Sequence, residues 1–197
     1  MTSHINLTSG NRVIIPYETE QHMLAHPDVN LELIREAFDL IDLDAAKKNL
    51  EVCRNLGRVI GVTGKIRTPV IAPADCALFA KRKARPYPSR VVVGMEKEPT
   101  SEICVVANRS NRDTKTFILR TAWLGELAPP EPFSLGRFGA DAAKEEVSLA
   151  YWCSHALIYD DREFMDEPAE SSWTIIVQQA RTDRDEKRRL KNEAQPA

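Results

Sequence analysis

The apolar positions near the N-terminus recur with the spacing of an amphipathic helix. In the stretch DVNLELIREAFDLI, one helix face is formed by Val29, Leu33 and either Ala37 or Phe38, and further apolar residues flank it. A second amphipathic stretch covers residues 43–56 and stops at Gly57, and glycine commonly follows the last turn of a helix. The pattern therefore predicts two helices in this part of the chain.

The middle of the chain carries three runs rich in β-branched residues. They are predicted to be antiparallel strands over residues 90–96, 102–107 and 114–123, with a hairpin loop over 97–101. In the third run, Phe117 and Leu119 occupy one face. Thr121 and Trp123 continue the same alternation, which predicts that the hydroxyl and the indole share that face.

Weaker patterns fill the rest of the chain. They predict one or two helical turns over 75–83, a helix over 140–155, a late strand over 172–179, and a mixed-charge tail that is a solvated helix or disordered. The fold class is therefore α+β, with N-terminal helices packed on a small antiparallel sheet and a C-terminal helical extension. Residues 1–21 are an N-terminal arm, of which 1–15 could instead form a short edge strand; 22–180 form a single α+β domain, and 181–197 are the charged tail.

Charge is distributed unevenly along the 197 residues. The formal net charge of −2 excludes a generically basic nucleic-acid binder. The stretch KRKARPYPSR, residues 81–90, nevertheless holds five cations and no acid. Arginine binds phosphate through paired hydrogen bonds and an aromatic ring can stack on a base, so this stretch is a candidate RNA contact. Its candidate side chains are Lys81, Arg82, Lys83, Arg85 and Tyr87. The alternative is a solvated loop that protects a sheet edge.

The cysteine pattern indicates the cellular environment. Cys53, Cys76, Cys104 and Cys153 form no CxxC pair, so we expect four reduced thiols in a cytoplasmic protein rather than a zinc site or a disulfide framework. No apolar run reaches the roughly 18 residues of a membrane span, and the first residues lack the pattern of a signal peptide. We therefore expect no membrane partner.

Histidine is the usual proton carrier near neutral pH, and the chain has four. His22 and His26 stand four residues apart, a spacing that suits a metal site on a helix. Pro27 disfavours helical geometry at His26, which favours a surface or capping role instead. The chain contains no GxSxG, GxxxxGKS, HExxH or GxGxxG motif. The sequence thus predicts neither a metal nor a cofactor.

The order of these segments resembles a known family. The stretches that carry the resemblance are AHPDVNLELIREAF, PSRVVVGME, SEICVVANR and FILRTAWLGELAPPEP, within residues 22–132. They are similar to the barnase/EndoU/colicin/RelE superfamily of small metal-independent ribonucleases, most of all to its phage- and toxin-associated branches. The match is specific in the last strand, which reads T-A-W before a proline turn.

The resemblance implies a function and roles for individual residues. In such proteins a histidine, one or two cations and a hydroxyl or aromatic group line a sheet, and RNA is cleaved by attack of its own 2′-hydroxyl. By position, His26 would be the general acid or base, and Lys83 or Arg90 would stabilise the phosphate charge. Thr121 would hydrogen-bond the phosphate, and Trp123 stands where tyrosine is common. His155 lies beyond the matched region and would supply a second histidine.

Two other functions fit the same sequence. One is a non-catalytic module of the same fold that binds RNA or a protein, and the other is an oligomeric structural or assembly protein. The ribonuclease hypothesis also implies RNA as substrate and allows an antitoxin or immunity protein as a partner. The sequence leaves the oligomeric state open.

Overall fold

A computed structural model describes residues 3–23, 28–46, 48–83, 85–139 and 141–194 of the chain; the side chain of His22 is outside this description. The strands are β1 (Ser3–Asn6), β2 (Arg12–Ile15), β3 (Asn49–Asn55), β4 (Gly61–Thr63), β5 (Lys65–Arg67), β6 (Ala77–Ala80), β7 (Ser89–Val92), β8 (Glu98–Thr100), β9 (Glu102–Arg109), β10 (Thr116–Leu124), β11 (His155–Ile158) and β12 (Ala169–Ser171). The helices are α1 (Tyr17–Met23), α2 (Leu31–Asp39), α3 (Leu135–Phe138), α4 (Ala142–Cys153) and α5 (Trp173–Glu193). This mixture confirms the predicted α+β class.

The chain divides into two compact units, each made of two separate stretches. The first unit spans Met1–Thr63 and Glu98–Leu127, and the second spans Gly64–Lys97 and Ala128–Ala197. The division arises because the chain leaves the first unit after β4 and returns to it at β8, which pairs with β4. The predicted domain over 22–180 includes parts of both units.

The first unit is built on a five-stranded sheet with the order β1-β2-β10-β9-β3. Neighbouring strands are antiparallel, except that β10 runs parallel to β2. Helix α2 packs on one face of this sheet and buries an apolar side made of Leu33, Ile34, Ala37 and Phe38. The side chain of Asn30 accepts a hydrogen bond from the Leu33 backbone N–H at 2.9 Å, which caps the start of the helix.

The order of elements at the N-terminus differs from the predicted helices-first arrangement. The chain opens with the β1–β2 hairpin, and Ile5, Val13 and Ile15 of this hairpin are buried in the core of the first unit. The predicted helix over 43–56 was wrong, because residues 49–55 form β3. Each residue of β3 pairs with one of β9, and this ladder outweighs the weak helical pattern.

Strand β10 contains a β-bulge that overturns its predicted alternation. The register shifts between Leu119 and Thr121, so that Arg120 has no partner in β9. Phe117 and Leu119 are fully buried as predicted, but beyond the bulge Ala122 is the fully buried residue. The buried residue Thr19 donates its hydroxyl to the Leu119 carbonyl at 3.2 Å, which satisfies this acceptor next to the bulge.

The second unit contains another five-stranded sheet, with the order β12-β6-β7-β11-β5. Its core includes Phe79, Trp152 and Trp173, and the indole N–H of Trp173 donates to the Trp152 carbonyl at 3.1 Å. The helical turns predicted over 75–83 were wrong, because β6 lies there and pairs with β7 and β12. The predicted hairpin loop over 97–101 was also wrong, because β7 and β9 belong to different sheets.

The C-terminal part is helical. The predicted helix over 140–155 is confirmed by α4. The predicted strand over 172–179 was wrong, since α5 starts at Trp173 with Ser172 as its N-cap. The Ser172 hydroxyl accepts from the Ile175 N–H at 3.3 Å. The same helix runs on to Glu193, so the described part of the charged tail is a solvated helix.

The expectation of four reduced thiols was also wrong. Cys53 of β3 and Cys104 of β9 are directly paired across the ladder and form a disulfide, although they are 51 residues apart in sequence. Cys76 and Cys153 are free thiols. Among the described residues, no helix is both long and apolar enough to cross a bilayer.

Deletion of Arg120 tests the bulge. Without this residue, Leu119 and Thr121 become neighbours opposite Ala107 and Val106, which are neighbours in β9, so a regular ladder keeps Thr121 outside and Leu124 inside. We expect the free energy of unfolding of the deletion variant to stay within about 1 kcal/mol of that of Arg120→Ala, the control, in urea unfolding. In a strand without a bulge, the same deletion would exchange the faces of the second half and lower the free energy of unfolding by at least about 3 kcal/mol. A loss of that size would contradict the bulge.

Candidate functional site

The bulge leaves Thr121 and Trp123 on the side of the first sheet opposite to its buried core. Both side chains are half-buried, whereas Ala122 between them is fully buried. The indole N–H of Trp123 donates to the Glu126 carbonyl at 3.3 Å, which fixes the orientation of the ring. We call this side of the sheet the outer face.

The neighbours of these two residues follow from the strand register. Thr121 pairs with Val106, and Val106 pairs with the exposed Glu51 of the edge strand β3. Trp123 pairs with Cys104, whose disulfide continues the same row onto β3. The outer face thus presents a hydroxyl, an indole and a carboxylate within three neighbouring strands.

Arg90 lies in the second unit, on β7, and is 5% exposed. Its guanidinium donates to the Cys153 carbonyl at 2.7 Å and to the Pro69 carbonyl at 3.3 Å. Burial lowers the pKa of Arg90, but the pKa of a guanidinium stays far above neutrality, so the group remains a cation. These contacts join the loop before β6 to the end of α4, which is a structural role.

His155 starts β11, which runs parallel to β7, so it and Arg90 lie on neighbouring strands. It is 7% exposed, and its ring stacks on Tyr151 with the two centroids 3.9 Å apart. The Nδ1 atom lies 2.8 Å from the Tyr151 carbonyl and 3.0 Å from the Ser154 hydroxyl. Because a carbonyl only accepts, the short contact to Tyr151 assigns the proton to Nδ1.

Most side chains of the 81–90 stretch have partners inside the second unit. Arg82 forms an ion pair with the buried carboxylate of Glu131, and the Lys83 ammonium donates to the Arg162 carbonyl at 2.7 Å. Lys81 is half-buried, and its backbone N–H donates to Asp166. Arg85 is exposed. The stretch is therefore tied into the fold more than the sequence pattern alone suggested.

Tyr87 is likewise held by the fold. Its hydroxyl donates to the Asp183 carboxylate of α5 at 2.7 Å, and its ring packs against Phe133 with centroids 5.5 Å apart. Desolvation, followed by the interaction with Asp183, raises the pKa of Tyr87 to about 12. The ring is thus a support for α5 in this structure.

The predicted catalytic residues are distributed over both units. Arg90 and His155 are together in the second unit, Thr121 is in the first, and His26 lies outside the described residues. In the described ranges, no three His, Cys, Asp or Glu side chains come together as a metal site. Sequence patterns missed two features here, the bulge at Arg120 and the hydrogen bond from Tyr87 to α5. The sequence does contain a signal for the bulge. The alternation of core residues at Phe117 and Leu119 resumes at Ala122, one position later than in a regular strand.

Comparison with protein-family models, with curated proteins and with solved structures finds no match for this chain.

Replacement of Arg90 tests its structural role. Arg90→Ala should lower the free energy of unfolding by about 1–3 kcal/mol, because two carbonyls lose a charged donor. Arg67→Ala, on the exposed edge strand β5, is the control and should change it by less than about 0.5 kcal/mol. Chemical unfolding measures both. A fully stable Arg90→Ala protein would contradict the role.

The pKa of Tyr87 gives a prediction for high pH. The unfolded pKa of tyrosine is about 10, so the neutral phenol stabilises the folded state below this pH, and the contribution is lost as the pH rises through about 12. In an ultraviolet titration of the four tyrosines, we expect one step near pH 12 in the folded protein. Tyr87→Phe should remove this step and the exposed-site control Tyr17→Phe should keep it. Loss of the step in the control instead would show that the assignment is incorrect.

Proposed function

We propose that the protein is a metal-independent endoribonuclease that binds single-stranded RNA on the outer face of the first unit. The observation that carries the proposal is the placement of Thr121 and Trp123 on either side of the fully buried Ala122. Both of their side chains are half-buried and face away from the core. An aromatic ring on a sheet offers a stacking surface for an unpaired base. A hydroxyl beside it can hydrogen-bond the adjoining phosphate.

Charge on the same strand supports this proposal. Arg120 is exposed at the bulge, next to Thr121 in sequence, and supplies a cation for the phosphate backbone. The formal net charge of the chain is −2, so a local cation matters more here than the overall field. The outer face thus combines the three interactions that single-stranded RNA uses: stacking, hydrogen bonding and charge.

The chemistry of cleavage needs two proton-transfer groups. The 2′-hydroxyl of RNA attacks the adjacent phosphorus, a base takes the proton of this hydroxyl, and an acid protonates the departing 5′-oxygen. Family resemblance assigns one of these roles to His26. Glu51 lies on the outer face two strands away from Thr121, which is about 10 Å at the usual strand spacing. Glu51 is thus a candidate for the second group, in place of the buried His155.

A second candidate function is RNA binding without cleavage. It is favoured by the internal contacts of Arg90 and His155, which bind backbone carbonyls of the second unit. If these two residues only support the fold, the protein loses two of the groups that the resemblance assigned to catalysis. The outer face would then retain its affinity for RNA while the chemistry is absent.

Incubation of the protein with labelled single-stranded RNA in EDTA tests the proposal. We expect cleavage with 2′,3′-cyclic phosphate ends. Thr121→Ala should lower the rate by about 10- to 100-fold, the usual value of a hydrogen bond to a charged group. Trp123→Ala should weaken binding by about 5- to 150-fold, from loss of stacking on one base.

Matched controls come from the same unit. Thr114→Ala removes an exposed threonine from the loop before β10, and Tyr17→Ala removes an exposed aromatic ring from α1. Both should behave as wild type. RNA binding that depends on Trp123 without any cleavage would favour the second candidate. Absence of both binding and cleavage, or equal activity of Thr121→Ala and Thr114→Ala, would overturn the proposal.

A further inference from the structure

Helix α5 continues well beyond the core of the second unit. Its first half buries Trp173, Ile176 and Ala180, whereas every residue over 185–194 is exposed. At 1.5 Å per residue, the exposed part up to Glu193 is about 13 Å long. Because this extension buries no side chain in the core of the unit, its side chains are available to a partner.

The helix face that packs in the first half becomes cationic in the second half. Arg184, Lys187 and Lys191 follow Ala180 at spacings of four, three and four residues, which keeps them in line with the buried face. Arg188 lies beside Lys187 and one turn after Arg184. We call Arg184, Lys187, Arg188 and Lys191 the basic stripe.

The acidic residues of the extension lie mainly away from this stripe. Glu186 and Glu193 occupy the opposite face at 100° per residue, and Arg189 on that side pairs with Glu193 at 3.9 Å. Asp185 contacts the Arg184 Nε at 3.8 Å, at the edge of the stripe. The extension thus separates its charges by face. Beyond Arg184, the basic stripe consists of three exposed cations, Lys187, Arg188 and Lys191.

The basic stripe adjoins the 81–90 stretch. The hydrogen bond from Tyr87 to Asp183 ties that loop to α5 immediately before Arg184. Arg85, two residues from Tyr87, is exposed, and its charged neighbours are Arg82, Glu131 and Arg137 rather than residues of α5. The loop therefore fixes the helix next to the basic stripe, and the cations of the stripe are those of α5.

The chemistry of this surface fits an extended chain of phosphates. A helix that binds an anionic membrane carries an apolar face next to its cations, but here the opposite face holds Glu186 and Glu193, with Leu190 as the exposed apolar residue of the extension. Cations in successive helical turns, 5.4 Å apart, suit a linear polyanion without sequence preference. This arrangement favours a nucleic-acid backbone over a lipid surface.

We propose that the basic stripe of α5 binds the phosphate backbone of RNA, outside the outer face of the first unit. The inference rests on the proposed RNA-binding function and adds a contact that is independent of base identity. It predicts that much of the salt dependence of RNA binding comes from the C-terminal helix.

The test is the salt dependence of binding to a fluorescently labelled single-stranded RNA with 2′-O-methyl groups, which cannot be cleaved by 2′-hydroxyl attack. Each phosphate contact on a single strand contributes about 0.7 to the slope of log affinity against log salt. The variant Lys187→Gln/Arg188→Gln/Lys191→Gln should therefore lower the slope by about 2. Circular dichroism checks that α5 remains helical.

The matched control is a pair of neighbouring arginines with equal charge. Arg188→Gln, on the stripe, should lower the slope by about 0.7, whereas Arg189→Gln, on the opposite face, should leave it unchanged. Equal slopes for the triple variant and wild type would overturn the inference, and so would equal effects of the two single variants.

Two further outcomes separate this inference from the proposed function. An affinity and a salt slope that are unchanged in the triple variant, with binding lost in Trp123→Ala, overturn the stripe and leave the outer face standing. Binding that depends on the stripe but not on Trp123 supports the stripe and removes the outer face. Loss of binding to phosphatidylserine vesicles, with RNA binding and its slope intact in the triple variant, would assign the stripe to a membrane and overturn the inference.

Discussion

The extra residue Arg120 in β10 is the feature on which the organisation of the first unit depends. It changes which side chains of the strand face the core, and so leaves Thr121 and Trp123 on the outer face. Thr19 satisfies the Leu119 carbonyl at this point, so the bulge introduces no unpaired buried acceptor there. A strand that would be a plain core element thereby presents a hydroxyl and an indole.

In the second unit, the polar side chains of the predicted site mainly connect structural elements of that unit to one another. Arg90 binds two carbonyls, Tyr87 supports α5, and Arg82 pairs with the buried Glu131. A buried cation needs such partners because its desolvation is otherwise costly. The strongest charge run in the sequence is therefore largely structural, whereas a less conspicuous set of cations on α5 stays in solvent.

Much of the fold was predictable where one pattern extends over many residues. The α4 helix and the β9 and β10 strands were identified from long periodic or β-branched stretches. Short stretches failed because their patterns are ambiguous: residues 49–55 look helical but pair with β9, and the apolar run after Ser172 looks like a strand but starts a capped helix. Contacts between residues far apart in the chain determine the secondary structure of such segments, and the local sequence does not reveal these contacts.

The candidate site was predictable in residue type but not in placement. The sequence identified Thr121 and Trp123, yet the expected alternation put them in the core, and only the bulge puts them outside. Arg90 and His155 were chosen for their chemistry, but their burial depends on α4 and its following strand, which no local pattern reveals. The disulfide between Cys53 and Cys104 likewise depends on a register that spans 51 residues.

Tryptophan fluorescence tests the central claim most directly, namely that Trp123 lies on an outer face that receives RNA. The chain has three tryptophans, and Trp152 and Trp173 are 4% and 0% exposed. We predict that saturating RNA quenches the emission of the wild type and protects it from a soluble quencher, with no such change in Trp123→Phe. Unchanged emission and unchanged quencher access in the wild type, at RNA concentrations that saturate binding, would contradict the account.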